Sequence, residues 1–149
     1  MKAAALAAGC ALLTGALPSA AAAQAPAAPS ARPRLGPFMI FHDYDSDEVS
    51  PQAAAILASV LRAWRTGGAA RIVVAGHADT DHSAEESMAI SRRRAWRVHD
   101  WLVDAGVPGA AIVVRYYGED NLLVGTEDGV REPQNRRVEI MLEPPATAP

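Results

Sequence analysis

The side chains best able to do chemistry fall in three short stretches. Gly76-His77-Ala78-Asp79-Thr80-Asp81-His82 places two imidazoles and two carboxylates within six residues. Ser91-Arg92-Arg93-Arg94-Ala95 carries three consecutive arginines, and Asn135-Arg136-Arg137 adds two more. Two His and two Asp could ligate zinc, and the first stretch has some likeness to the H-x-H-x-D-H pattern of metallo-hydrolases. Asp79 stands where that pattern needs its second His, and the only later histidine is His99. A polar loop whose His77 packs or bonds to backbone is the better reading, and no metal is expected. Asp43, Asp45 and Asp47 have the one-three-five spacing of a calcium loop. Glu48 then occupies the position that needs Gly, and Ala54 the position that needs a bidentate Glu. Acidic residues there suit the approach to a helix N-terminus instead. No Ser sits in a G-x-S-x-G elbow, and the sole cysteine is Cys10, so no nucleophile, catalysis or cofactor is expected. Arg92, Arg93, Arg94 and Arg97 surround Trp96, but a net charge of −3 and an export signal argue against nucleic acid.

These clusters need elements to hold them. Phe38-Met39-Ile40-Phe41 is a short apolar run that reads as a buried strand. Ser50-Pro51 opens a helix, with Ser as cap and Pro in the first turn. Ile56, Leu57, Val60, Leu61 and Trp64 recur on one face of it, and Gly67-Gly68 ends it. Ile72-Val73-Val74 lies in a second strand, residues 71–75. Ser83-Ala84-Glu85-Glu86 has the form of a capping box. The helix after it has Met88, Ser91, Ala95, Val98, Leu102 and Ala105 as its expected inner stripe, stopped by Gly106 and Pro108. Residues 111–117 read as a third strand and 138–142 as a last one. Between them, 118–134 form a polar loop long enough to ask for a role. The order β-α-β-α-β-β predicts an α/β (α+β) two-layer sandwich, with the helices packed on one mixed sheet.

The ends read differently. Lys2 precedes an uncharged apolar run, and Ala21 and Ala23 form an A-x-A pattern before Gln24. Residues 1–23 are therefore expected to be a secretory signal peptide. The run is too short and too rich in Ala for a good membrane span. Ala7 stands where a lipoprotein box wants a strong hydrophobe three residues before its Cys, so lipidation at Cys10 is not expected. Residues 24–37 are rich in Ala and Pro and read as a linker, and 144–149 as a flexible tail. The folded unit expected between them is 38–143.

Four stretches in order resemble the OmpA-like peptidoglycan-binding family, which includes peptidoglycan-associated lipoproteins, outer-membrane porin C-terminal domains and flagellar stator subunits. Phe41-His42-Asp43-Tyr44-Asp45-Ser46 resembles the family's F-x-F-D-F-D-S opening, and Gly76-His77-Ala78-Asp79 its G-H-T-D. Ile90-Ser91-Arg92-Arg93-Arg94-Ala95 resembles L-S-x-x-R-A, and Asn135-Arg136-Arg137-Val138-Glu139-Ile140 its N-R-R-V-E-I ending. The resemblance implies a non-enzymatic periplasmic module, possible association with the outer membrane, and peptidoglycan as partner. It implies that Asp79 and Arg94 bind diaminopimelate of the stem peptide, with Arg136 and Asn135 at the pocket and Ser87 where the family has an Asn. The chemistry is sound in itself: the free end of diaminopimelate is a zwitterion, whose ammonium suits a carboxylate and whose carboxylate suits the planar fork of arginine. Asp79 is then expected to end the second strand and Arg94 to lie about three turns into the next helix. Asp79→Ala and Arg94→Ala are expected to lose binding while staying folded, with melting temperatures near the parent's. His82 replaces a usual Gly, and Glu86-Ser87 a usual Tyr-Asn. Those departures motivate a second reading, an OmpA-like scaffold that has lost wall binding and mediates contacts with envelope proteins.

Overall fold

The protein is represented by a computed structural model that describes residues 35–145. The first strand, β1 (Leu35–Phe41), alternates: Ile40 is fully buried, and its neighbour Phe41 is exposed. It is therefore half-buried, where the apolar run alone suggested burial on both faces. It also starts earlier than expected, taking up Leu35, Gly36 and Pro37 from the end of the expected linker. A register shift between Leu35 and Phe38 accommodates them, a bulged edge being one of the few places a strand tolerates Pro. The expected signal peptide, the rest of the expected linker up to residue 34 and the expected tail from residue 146 onward lie outside the described residues.

Ser50 caps α1 (Pro51–Gly67) by accepting from the Ala53 amide, and Gly68 ends it in the left-handed conformation. Ala53, Leu57 and Val60 are buried, with Ile56, Leu61 and Trp64 packed against them. After β2 (Arg71–Gly76), the expected capping box is complete: Ser83 and Glu86 each accept from the other's backbone at the start of α2 (Ala84–Asp104). Ser91, Ala95, Val98 and Leu102 of the expected stripe are buried; Met88 and Ala105 are only partly so. Ser87, Ile90 and Arg94 join the buried face, which makes it wider toward the helix N-terminus. A short turn leads to β3 (Ile112–Tyr116), and a second, at Pro133–Asn135, precedes β4 (Arg137–Glu143).

The strand order is β1-β4-β2-β3. β2 and β3 are parallel, joined by α2, and β4 runs antiparallel to both of its neighbours, β1 and β2. Ile40, Val138, Val74, Ile140, Ile72 and Leu142 point to one face and meet Leu57, Val60, Val98 and Leu102 of the helices in one core. The result is the expected two-layer sandwich on a mixed sheet. Small residues let α2 approach β2 closely: a side chain at Gly76 would collide with the Ser91 carbonyl and crowd Ala95.

Candidate ligand-binding site

Because β4 opposes β1 and β2, its start lies at the end where β1, β2 and β3 finish. All three polar stretches and the long loop are thereby gathered at one end of the sheet. Backbone bonds fasten them: His42 N–H donates to Arg136 O and His77 N–H to Arg137 O, each at 2.9 Å. Ala78 N–H donates to Gly118 O at 2.8 Å, and Gly129 N–H to Thr80 O at 2.6 Å.

Asp79 lies three residues past the end of β2, not at its last position. It is 2% exposed and ion-paired with Arg136 Nη1 at 3.0 Å. Arg136 Nε also donates to the His42 carbonyl at 3.3 Å. Arg94, about three turns into α2 as expected, is 1% exposed. It donates to the carbonyls of Ser46 (3.0 Å), His77 (3.3 Å) and Asp43 (3.3 Å). The direct ion pair of Asp79 is thus with Arg136, while Arg94 crosses the sheet end as a brace between the β1 and β2 loops. Burial lowers the Arg94 guanidinium to about 10; Asp79 opposes that shift and Arg136 adds to it. Arg94 is therefore still a cation at neutral pH. Its burial, and that of Asp79, also revises the expectation that alanine variants would stay as stable as the parent.

The other two site residues serve the backbone around this cluster. Ser87 is fully buried, its hydroxyl facing the Asp79 carbonyl (3.2 Å) and the Glu119 carboxylate (2.9 Å). Asn135 is also fully buried: its side-chain oxygen accepts from the amides of Leu123 (2.8 Å) and Val124 (2.9 Å), and its amide nitrogen donates to Val124 O (2.8 Å). It thereby folds the long loop against the start of β4. Glu86 is held by Ser83, whose hydrogen bonds keep its carboxyl below the usual range. An open cavity of about 170 Å³ shares these loops, lined by Asp45, His82, Glu86, Ala89, Ile90 and Arg93.

The two loop histidines diverge. His77 stacks on Tyr117 and donates from Nδ1 to Asn121 O at 3.1 Å, whereas His82 stacks on Tyr44 with ring centroids 5.8 Å apart. Among the described residues, no three His, Cys, Asp or Glu side chains come together as a metal site. Burial, with Arg137 nearby, lowers the His77 pKa. His42 is buried, and among the described residues neither of its ring nitrogens has a hydrogen-bond partner, although the Glu48 backbone lies near. Burial, then Arg94, pushes it down to about 4.

The sequence reading overlooked an outer group beside this cluster. Tyr44 Oη donates to Asp81 Oδ2 at 2.6 Å, Arg131 Nε donates to the same oxygen at 2.9 Å, and Arg131 Nη2 donates to Tyr44 Oη at 2.9 Å. Two signals pointed there: Asp81 belongs to the densest polar stretch, and Arg131 to the long loop that asked for a role.

The OmpA family model matches residues 41–136, and the chain belongs to that family. It is 39% identical over 113 residues to an outer membrane protein of Gluconacetobacter diazotrophicus, covering 70% of this chain and 29% of that one. It is 34% identical over 100 residues to a peptidoglycan-associated lipoprotein of Pseudomonas aeruginosa, covering 67% of this chain and 59% of that one. The chain thus spans less than two thirds of the length of either relative. Solved structures share the fold. The OmpA-like domain of FopA1 from Francisella tularensis matches with a TM-score of 0.65 at 21% identity, over 72% of this chain and 71% of that one. The peptidoglycan-associated lipoprotein of Burkholderia pseudomallei matches at 0.62 and 24% identity, over 68% and 86%.

Proposed function

We propose that this protein is an exported envelope module that binds peptidoglycan non-covalently and catalyses nothing. The ligand group is the diaminopimelate zwitterion of the stem peptide, its ammonium drawn to Asp79 and its carboxylate to the guanidinia of Arg94 and Arg136. The observation that carries the reading is the charge of the buried cluster: Asp79 pairs directly with Arg136, and its charge also acts on buried Arg94, so two guanidinia depend on one carboxylate there. A buried excess of positive charge is costly unless an anion completes it, and a ligand carboxylate would do so. The family membership and the relatives named for peptidoglycan association support the same reading. Nothing in the cluster calls for proton transfer or a covalent intermediate. Ser87 and Asn135 act by shaping the loops around it.

Pulldown with purified diaminopimelate-type sacculi tests the reading. The parent is expected to co-sediment, Asp79→Ala to lose binding, and Arg94→Lys to keep part of it, since lysine retains charge without the planar fork. A folded parent that stays in the supernatant would refute wall binding and favour the scaffold reading. Export is read out separately: mass spectrometry of the envelope-located protein is expected to find an N-terminus near Gln24, and a diacylated Cys10 would overturn it.

A further inference from the structure

The buried cluster handles one charged group, but a wall peptide carries more than one carboxylate. Arg94 and Arg136 are both tied inward, to carbonyls and to Asp79. Arg131 is the opposite case. Its side chain is 62% exposed, and its guanidinium carbon lies 3.9 Å above the centroid of the Tyr44 ring. Arg136 approaches the same ring at 5.9 Å, so the tyrosine borders both the inner and the outer guanidinium.

We propose that Arg131, laid on Tyr44 and steadied by Asp81, is a second anion-recognition point. It takes the free α-carboxylate of the acidic residue next to diaminopimelate in the stem peptide. The proposal rests on the wall-binding reading above and extends it to a second residue of the ligand. Four features favour it. An exposed ion pair contributes little to stability, so the three mutual bonds among Tyr44, Asp81 and Arg131 are poorly explained as a structural staple. Stacking on an aromatic face holds a guanidinium in one plane before the ligand arrives, which lowers the ordering cost of binding. The loop that carries Arg131 is anchored: Gly129 N–H donates to Thr80 O at 2.6 Å, and Thr80 Oγ1 donates to Glu127 O at 2.6 Å. Finally, with both guanidinia this close to one ring they lie no more than about 10 Å apart, a span that two neighbouring peptide residues with extended side chains can bridge. On binding, the ligand carboxylate takes the place of Asp81 on Arg131, and Tyr44 keeps its bond to Asp81.

The test uses the full mature chain and two muropeptides that both carry diaminopimelate with its zwitterion intact. In one the α-carboxylate of the γ-linked glutamate is free, and in the other it is amidated. Titration calorimetry is expected to show the parent preferring the free acid by about tenfold, a typical value for one charge-assisted pair. Arg131→Ala should bind both equally, at the level of the parent with the amide, and Arg131→Lys should recover part of the preference. Arg92→Ala, an exposed arginine elsewhere on α2, should behave as the parent. A parent that binds both muropeptides equally, or an Arg131→Ala variant that keeps the preference, would overturn the second recognition point while leaving wall binding intact. A parent that binds neither would remove the wall-binding reading, and this proposal with it.

Discussion

Asp79 and Asp81 are separated by one residue, and each is paired with an arginine from the last third of the chain. Asp79 meets Arg136 at 3.0 Å in the interior; Asp81 meets Arg131 at 2.9 Å at the surface. Side-chain exposures are 2% and 10% for the inner pair and 17% and 62% for the outer. The contacts are nearly equal in length and differ in consequence. Water is excluded around the inner pair, so each member depends on the other. The outer pair can exchange its partners for water or for a ligand at little cost. One end of the sheet therefore carries a fixed electrostatic floor and an adjustable rim. Distance alone does not distinguish them.

The strongest way to break this comparison is to delete the inner carboxylate. Asp79→Ala leaves Arg136 buried without its partner and should cost about 3–5 kcal/mol of stability, read by urea denaturation. A loss below about 1 kcal/mol would mean that the inner pair behaves like a surface one. Acid should act next, and on the inner side. His42, whose carbonyl receives Arg136, has its pKa lowered to about 4 against 6.5 for the free side chain. The unfolded chain therefore takes up the proton first, so stability should fall as pH drops from about 6.5 to about 4, by roughly 3 kcal/mol in all. His42→Phe should flatten that slope in thermal melts between pH 7 and pH 4.5; an unchanged slope would acquit His42. The outer pair should outlast it, because Tyr44 and then Arg131 hold the Asp81 carboxyl below its ordinary range.

Asn135→Ala probes the link between floor and rim. It leaves the Leu123 and Val124 amides without their acceptor and should cost about 1–3 kcal/mol, with faster hydrogen exchange at those two amides. Protection equal to the parent's would show that the loop is held by other contacts. The smallest effect is expected at the rim. Arg131→Ala should change stability by less than about 1 kcal/mol, which makes it a clean variant for binding work. A melting temperature depressed as far as that of Asp79→Ala would erase the distinction between the two pairs.

Much of the architecture was legible because its signals are local. Ser50-Pro51 and the box from Ser83 to Glu86 mark helix starts through bonds spanning three residues. The spacing of Leu57 and Val60, or of Ala95, Val98 and Leu102, records the helical period. The candidate site was legible as a set of residues: Asp79, Ser87, Arg94, Asn135 and Arg136 do gather at one end of the sheet and are all buried. Their partners were not legible. Neither the sequence spacing nor the family motif shows that Arg94 binds three carbonyls, or that Tyr44, Asp81 and Arg131 form a group of their own.

By itself, then, the sequence determined where the elements begin and end, which faces are apolar, and that the chain resembles the OmpA-like family. Only the tertiary structure decided who pairs with whom. β4 enters the sheet between β1 and β2, which brings Arg136 to a carboxylate 57 residues earlier in the chain. Caps and periodicities depend on neighbours within a turn or two. Charge pairing depends on which side chains share a low-dielectric space after the strands have been ordered. An aspartate two positions away, with the same chemistry, pairs instead with an arginine that stays largely in water, so its ion pair keeps access to solvent.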